Sequence, residues 1–576
     1  MSLSKRKLYN SEKIINFREL ISRYQKIFPN KIAFKYKSTP TSKNIETITY
    51  SKFAKDIKSF AKALLKLELK GKRVAIIGQN RYEWCVSYLA VVSSDMIVVP
   101  LDKSLPNNEI KSLIKRSEVD AVIYDSKYSD IFSEICLEGK CNLKQYICMD
   151  KIDKPNVLFM NELIETGEKI DDEIYDDIQM DSEKMAIMLF TSGTTSISKA
   201  VCLSQGNICA DIYALSQMAK VTPKDTFLSF LPLHHTFEST CTFLYGSYCG
   251  ITIAFCDGIK HIQKNLNEFN VTGFVCVPLL LEIMYKKVQK NIEKQKKKTI
   301  IKIMTALCNF LLKFRIDIRR KVFKKILQGI GGDLRILIAG GAPMNTEAIK
   351  GFLGFGINLL QGYGLTETSP VLAGENDKYK KAGSVGFPLP DINVKIDDPD
   401  NKGVGEILVN GPTVMLGYYQ NEEATKEALT EGWFHTGDLG YFDKKGFLFV
   451  TGRKKDVIVL KNGKNIYPEE LEILINELPY VSESMVFGKE YTNKADRNED
   501  LNLWAKIVYS PDIMKQYFPG VDASKYKELI WKDIRNKVNK SMPAYKYIRE
   551  IIVTDEPLIK TTTQKIKRYE EMKKIK

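Results

Sequence analysis

Histidine is scarce in this chain, with four residues among 576. So few imidazoles leave little material for a histidine-rich metal site. The 11 cysteines are scattered, odd in number and without a single C-x-x-C pair. With no export signal either, this argues against a disulfide framework or a zinc ribbon and predicts reduced, intracellular thiols. A membrane-spanning apolar run is missing as well. The N-terminus, MSLSKRKLYNSEKIINFREL, is basic and lacks the apolar core of a signal peptide. Residues 85–101 are interrupted by Ser93, Ser94 and Asp95 and read as a buried helix feeding a strand at 96–99. Near 300–314, Lys302 and Lys313 bound only ten uncharged residues, too few for a bilayer. No internal repeat is visible. The expected location is cytoplasmic.

What is present is an ordinary globular balance, 44% hydrophobic and 27% charged, which argues against a disordered or fibrous chain. A length of 576 residues exceeds one typical core, so at least two domains are expected. Lys and Arg number 86 against 70 Asp and Glu, a net charge of +16. The excess is local. Residues 286–325 hold 15 Lys and Arg against two acids, Glu293 and Asp317, a net of +13, and the remainder carries only +3. Within that segment, 300–314 reads as a partly amphipathic helix. A basic amphipathic stretch suits an anionic membrane surface, which would place the protein peripherally on the cytoplasmic face; a solvated helical insertion accounts for the same charge equally well. No DNA- or RNA-binding motif accompanies it, and nucleic acid is not an expected partner.

Short β-rich runs at 74–77, 121–124, 186–190, 227–230, 274–277 and 335–339 alternate with helical patterns. That is the signature of an α/β fold with largely parallel sheets. From about Gly383 the strands shorten and turns crowd together (GFPLPD, DDPDNKGVGE, DKKGF), predicting a β-rich subdomain. After Gly452 the pattern changes again. A strand at 457–460, a KNGK turn, a helix at 468–478 opening on Pro468, strands at 484–487 and 503–508 and a helix near 523–539 describe an α+β unit. The expected division is a large N-terminal domain over 1–452, a hinge at 453–456 and a small C-terminal domain over 457–576. By composition alone the Lys-rich C-terminus reads as a solvated tail.

Four polar loops, three of them glycine-bearing, follow strand-like runs, where ligands sit in open α/β sheets. The first is TSGTTSISK, residues 191–199. Exposed backbone N–H groups, Ser and Thr hydroxyls and a closing Lys are the materials of a polyphosphate cradle, although no Walker A pattern is present. A Ser/Thr-rich solvent loop has the same composition. LPLHHTFE (231–238), IAGGAP (338–343) and QGYGLTET (361–368) follow three further runs.

These segments continue in order with GEILVNGPTVMLGYY, GWFHTGDLG, GRKKDVIVLKNGKNIYPEELE and TTTQKIKR, ending at Arg568. Through them the chain resembles AMP-forming acyl-CoA synthetases, within the adenylate-forming group that includes luciferases and peptide-synthetase adenylation domains. LPLHHTFE and the long segment before GGAP are most similar to the long-chain fatty-acid branch. The resemblance implies two half-reactions: a carboxylate attacks the α-phosphate of ATP to give acyl-AMP and pyrophosphate, and a thiol, usually of coenzyme A, then displaces AMP.

The roles implied are as follows. Thr191, Ser192, Gly193, Thr194, Thr195 and Lys199 match the phosphate cradle, with Ser196, Ser198 and Ala200 departing from the commoner pattern. Thr366 and Glu367 match the positions that contact the α-phosphate and hold Mg²⁺, a carboxylate with phosphate oxygens being an ordinary magnesium shell. Gly341, Ala342 and Pro343, with Gly362, Tyr363 and Gly364, resemble the adenine pocket, Tyr363 stacking on the base. Asp438 matches the ribose acceptor and Arg453 the arginine that also reaches the ribose. His235 matches the histidine beside the carboxylate channel; were the segment a strand, His234 would face the opposite way. Lys565, in TTTQKIKR, matches the lysine that balances charge on the α-phosphate. Lys455 matches the hinge on which a mobile C-terminal domain turns, presenting first Lys565 and then the Gly463 region, past which the pantetheine arm of coenzyme A runs.

The function expected is ATP-dependent, Mg²⁺-assisted conversion of a medium- or long-chain fatty acid to its coenzyme A thioester. One alternative is an acyl-AMP ligase loading an acyl-carrier protein. Another is an inactive nucleotide-binding protein at a membrane surface, against which the intact Lys199, Glu367, Asp438, Arg453 and Lys565 argue.

Overall fold

The computed structural model describes residues 6–139, 141–191, 198–460, 465–492, 499–561 and 566–575. The apolar runs form strands buried on both faces, because helices returning between parallel strands cover the sheet on each side. Val74 to Ile77 are buried throughout the strand Arg73–Ile77, and so is every residue of Ala121–Tyr124. The helix Tyr82–Val92 is buried almost all round and stops at Ser93, after which Ile97–Pro100 continues as the neighbouring strand.

Two large sheets result. One has eight strands in the order Gly417–Tyr418, Lys199–Ser204, Met185–Thr191, Ile97–Pro100, Arg73–Ile77, Ala121–Tyr124, Gln145–Cys148 and Leu158–Phe159. It is parallel from Met185–Thr191 onward and antiparallel at its first two pairings. The other has nine strands, parallel from Asn358–Gly364 through Ile336–Ala339, Gly273–Cys276, Thr226–Ser229 and Thr252–Phe255 to Ile32–Tyr36. Antiparallel strands close both of its edges.

The main apolar core is rich in aromatics. Phe34 stacks on Phe255 at 5.5 Å and meets Phe53 edge-on at 4.8 Å. Truncating one such buried ring to Ala typically costs about 3–5 kcal/mol.

The chain divides into two compact units, residues 1–341 with 347–393 and 409–434, and residues 342–346 with 394–408 and 435–576. Both large sheets lie in the first. The second contains an antiparallel pairing of residues 438–442 with 448–453, a three-stranded sheet of Val481–Thr492, Glu499–Tyr509 and Ile548–Thr554, and the helices Pro468–Asn476, Pro511–Tyr517, Tyr526–Asp533 and Arg568–Lys574. Pro468 takes the first turn of its helix, where its missing N–H is no loss. The helix expected at 523–539 is α-helical over Tyr526–Asp533 and widens to a π turn over Ile534–Val538. The expected 300–314 helix spans Lys298–Leu312. No helix among the described residues is long and apolar enough to cross a membrane.

Candidate active site

In the first unit the expected phosphate loop leaves the sheet at Thr191 and returns at Lys199, two residues paired across adjacent antiparallel strands. Ser192, Gly193, Thr194 and Thr195 lie outside the described residues. Arg116, from the helix Asn107–Ser117, braces the returning end: its guanidinium donates to the Ser198 hydroxyl at 3.0 Å and to the Ser198 carbonyl at 2.5 Å.

Lys199 Nζ sits 4.7 Å from the ring centroid of Tyr418, a cation–π distance. The Tyr418 hydroxyl donates to Glu367 Oε1 at 3.0 Å. Tyr418 reaches this place because Gly417–Tyr418 adds to the sheet beside Lys199–Ser204. Nothing local in the LGYY segment marks this tyrosine for a role. Its function depends on a cross-strand neighbour far away in the chain.

Thr366 and Glu367 belong to a single 3₁₀ turn, Thr366–Thr368, that follows the strand Asn358–Gly364. The Glu367 carbonyl accepts from Met415 N–H at 2.9 Å, which ties this turn to the segment leading to Tyr418. Gly364 is required at the bend: a Cβ there would lie 1.8 Å from the Pro370 carbonyl oxygen. With Oε1 taken by Tyr418, no described hydrogen bond occupies Glu367 Oε2. A carboxylate oxygen beside phosphate oxygens is a donor set that suits Mg²⁺.

The glycine-bearing ends of two parallel neighbours, Ile336–Ala339 and Asn358–Gly364, come together. A Cβ on Gly340 would stand 3.3 Å from the Gly362 carbonyl and 2.9 Å from the Phe237 ring. Tyr363 is half-buried on that second strand. Gly341 belongs to this unit, and Ala342 and Pro343 to the other.

His234 and His235 occupy a turn, not a strand, so side-chain alternation does not separate them. His235 N–H closes the turn on the Pro232 carbonyl at 3.1 Å. Asn80 pins it from outside: its amide donates to the Ser229 hydroxyl at 2.9 Å and the Leu231 carbonyl at 2.6 Å, and its oxygen accepts from Leu233 N–H. The two imidazoles lie 4.2 Å apart, and His234 Nε2 is 3.4 Å from Asp102 Oδ1. His234 is buried and His235 half-buried. One turn on, Glu238 is fully buried and accepts from Thr242 at 3.0 Å. Burial pushes its carboxyl up to about 8, against the Ser229 and Thr242 hydroxyls and the charge of Lys103.

In the second unit Asp438 and Arg453 face each other across paired strands, Arg453 Nε donating to Asp438 Oδ1 at 2.7 Å. Asp438 is buried. Glu406 accepts from Lys454 at 2.8 Å, from His435 at 3.3 Å and from Gly437 N–H at 3.1 Å. Burial works to raise its pKa, and these bonds outweigh it, holding the carboxylate below its ordinary range. Lys455 lies in the turn Lys454–Asp456; burial lowers its pKa, with Asp456 opposing. Gly463 and Lys565 lie outside the described residues.

Just after Lys565 in sequence, Arg568 opens the last helix and is gripped by acids. It donates to Glu472 at 2.7 Å and approaches Asp456 at 3.5 Å and Glu469 at 3.6 Å. A further bond goes to the Val486 carbonyl at 3.1 Å. Sequence composition had placed this stretch in a solvated tail.

In the first unit a lysine and a carboxylate that share one tyrosine fit nucleotide-dependent acyl activation, and within the second unit so does the Asp438–Arg453 pair. Comparison with known proteins agrees. A family model described as AMP-binding enzyme matches residues 22–419. The chain belongs to this family and is an adenylate-forming acid–thiol ligase.

Its similarity can be made more particular. It is 31% identical over 459 residues to the long-chain-fatty-acid–CoA ligase FadD15 of Mycobacterium bovis, covering 77% of this chain and 75% of that protein. It is 26% identical over 603 residues to the chloroplastic long-chain-fatty-acid–[acyl-carrier-protein] ligase AEE15 of Arabidopsis thaliana, covering 90% and 80%. Among solved structures, the anthranilate CoA ligase AuaEII in complex with anthranoyl-AMP superposes with a TM-score of 0.77 at 18% identity, covering 100% of this chain and 99% of that one.

Proposed function

We propose that this protein activates a medium- or long-chain fatty acid with ATP and transfers it to coenzyme A. The observation that carries the reading is the line Lys199–Tyr418–Glu367, which places a cation and a carboxylate on one ring at the mouth of the polar 191–199 loop. Lys199 and the loop hydroxyls bind the β- and γ-phosphates. Glu367 holds the magnesium that accompanies ATP, a hard cation that neutralises phosphate charge when bound. Asp438 and Arg453 receive the ribose, and Tyr363 stacks on adenine. A carboxylate oxygen of the acid attacks the α-phosphorus, and the bond to the bridging oxygen breaks to release pyrophosphate. Lys565 balances the charge that builds on the α-phosphate, and His235 orients the incoming carboxylate. The thiol sulfur then attacks the acyl carbon, losing its proton to solvent, and AMP leaves.

In this reading residues 453–456 are a hinge at Lys455 between a domain over 1–452 and a domain over 457–576. Turning at the hinge exchanges Lys565 for the Gly463 region between half-reactions. Residues 286–325 make a peripheral contact with an anionic membrane.

The test is pyrophosphate release over a carboxylate panel from acetate to C18 and aromatic acids, with and without a chelator. Release with medium or long acyl chains, abolished by chelation, is expected. Activity confined to acetate or aromatic acids would overturn the fatty-acid assignment. Similarity to the Arabidopsis protein favours one second reading, with acyl-carrier protein as acceptor. Exchanging coenzyme A for that carrier protein in the same assay separates the two.

A further inference from the structure

The helix Lys298–Leu312 turns its most apolar residues outward. Ile300, Ile303, Leu307 and Phe310, with Phe314 just beyond its end, are each between 45% and 63% exposed. Steps of three and four residues stack these five on one stripe, spanning roughly 80° at about 100° per residue. The helix docks by another face, on which Cys308 is buried and Ile301 and Leu312 are half-buried. Exposed apolar residues ordinarily scatter singly. Here, of eighteen large apolar side chains exposed among the described residues, seven fall between Ile283 and Ile316. Phe310 and Phe314 also meet edge-to-face at 5.3 Å, presenting one aromatic block.

Charge identifies what covers this stripe. Lys302 and Lys313 lie around the helix from it, Lys296 and Lys297 precede the helix and Arg315 follows. The acids of the segment are already engaged, Glu293 with Lys298 at 3.3 Å and Asp317 with Arg319 at 2.7 Å. A second copy set against the stripe would bring two segments of net +13 together, which disfavours a two-fold contact. An anionic bilayer supplies both complements, acyl chains for the stripe and phosphates for the lysines.

We propose that residues 298–314 form an in-plane membrane helix, its Ile300–Phe310 stripe inserted at the acyl boundary of an anionic leaflet. The proposal rests on the membrane reading of residues 286–325 and adds insertion to it. The full-length protein is to be sedimented with phosphatidylcholine vesicles and with vesicles containing about 30% phosphatidylglycerol, at low salt, where anionic attraction is strongest. The wild type is expected to bind the anionic vesicles at least about tenfold more tightly. The surface variant I303E/F310E is expected to lose about tenfold of that binding. Its octanoate-dependent pyrophosphate release should stay within about twofold of wild type, because the face lies outside the catalytic residues.

Anionic binding by I303E/F310E equal to wild type, with loss in K296Q/K297Q/K298Q, would overturn insertion and leave a purely electrostatic contact. No vesicle binding by the wild type would overturn both membrane statements. A wild-type dimer in light scattering that I303E/F310E dissolves would assign the stripe to a second copy. Octanoate activity reports separately on the fatty-acid assignment in every case.

Discussion

The Tyr418 hydroxyl donates to Glu367 at 3.0 Å while the same ring lies under Lys199. A residue from a two-residue strand therefore fixes the spacing of a carboxylate and a cation that the chain supplies from distant motifs. Hydrogen bonds to charged groups contribute about 1.5–3 kcal/mol. Tyr418→Phe keeps the ring and removes that bond, so kcat/KM for pyrophosphate release should fall at least about tenfold. Tyr418→Ala should fall further. A phenylalanine variant within twofold of wild type would show that the bond has no part in catalysis.

Lys565→Ala tests the division of labour between half-reactions. Losing one group that meets developing charge typically costs ~10²–10³ in rate. Adenylation, followed as pyrophosphate release, should drop by that factor. Thioester formation from supplied acyl-AMP should persist near the wild-type rate. Loss of both half-reactions would refute the proposed exchange at the hinge.

Glu238 carries a pH signature. Its carboxyl is raised to about 8 by burial, well above an unfolded value of about 4.3. The folded state therefore holds a proton that the unfolded state releases between those values. Stability is highest below that window and declines as pH rises toward 8. Glu238→Gln stays neutral throughout. Relative to the wild type it should gain on the order of 4 kcal/mol of stability between pH 5 and pH 8.5. Urea denaturation at the two pH values reads the difference, and parallel pH profiles would contradict it.

Arg568 neutralises an acidic group formed by the buried Glu472 and the half-buried Asp456 and Glu469. Burial already pushes Glu469 up to about 7, with Arg568 pulling it down. Removing one partner of such a group leaves uncompensated charge and typically costs about 3–5 kcal/mol. Arg568→Ala should destabilise the second unit by about that amount, seen as lost hydrogen-exchange protection in Ile548–Thr554 and Val481–Phe487. Arg568→Lys should recover only part of it, since an ammonium cannot reproduce the guanidinium fork. Full protection in the alanine variant would mean the acids are relieved another way.

The buried strands were legible because a parallel strand covered on both faces is a continuous apolar run. Residues 121–124 and 274–277 show this directly, the second appearing as Gly273–Cys276. The amphipathic 300–314 helix was equally readable, but its direction was not. Periodicity shows that a stripe exists; only packing shows that it faces outward. Tyr418 and Arg116 escaped notice for a related reason. Each acts on a residue brought near by sheet formation, and no local spacing encodes that pairing. The His234–His235 pair was read through strand alternation, which the Asn80-pinned turn makes inapplicable. Arg568 looked like tail charge because its partners, Glu469 and Glu472, are distant in sequence.

The parallel pairing of Ile32–Tyr36 with Thr252–Phe255 also sets a timetable for synthesis. Phe34 lies opposite Ile253 and stacks on Phe255, yet the ribosome makes residue 255 more than two hundred residues later. At about 5–20 residues per second that delay is roughly ten to forty seconds. Throughout it the first strand has only its antiparallel neighbour Glu46–Thr49 for company. The strand Ile32–Tyr36 is thus among the first segments made but waits for its parallel partner, and the emerging chain must keep one edge of an aromatic strand open while residues 50–251 are translated.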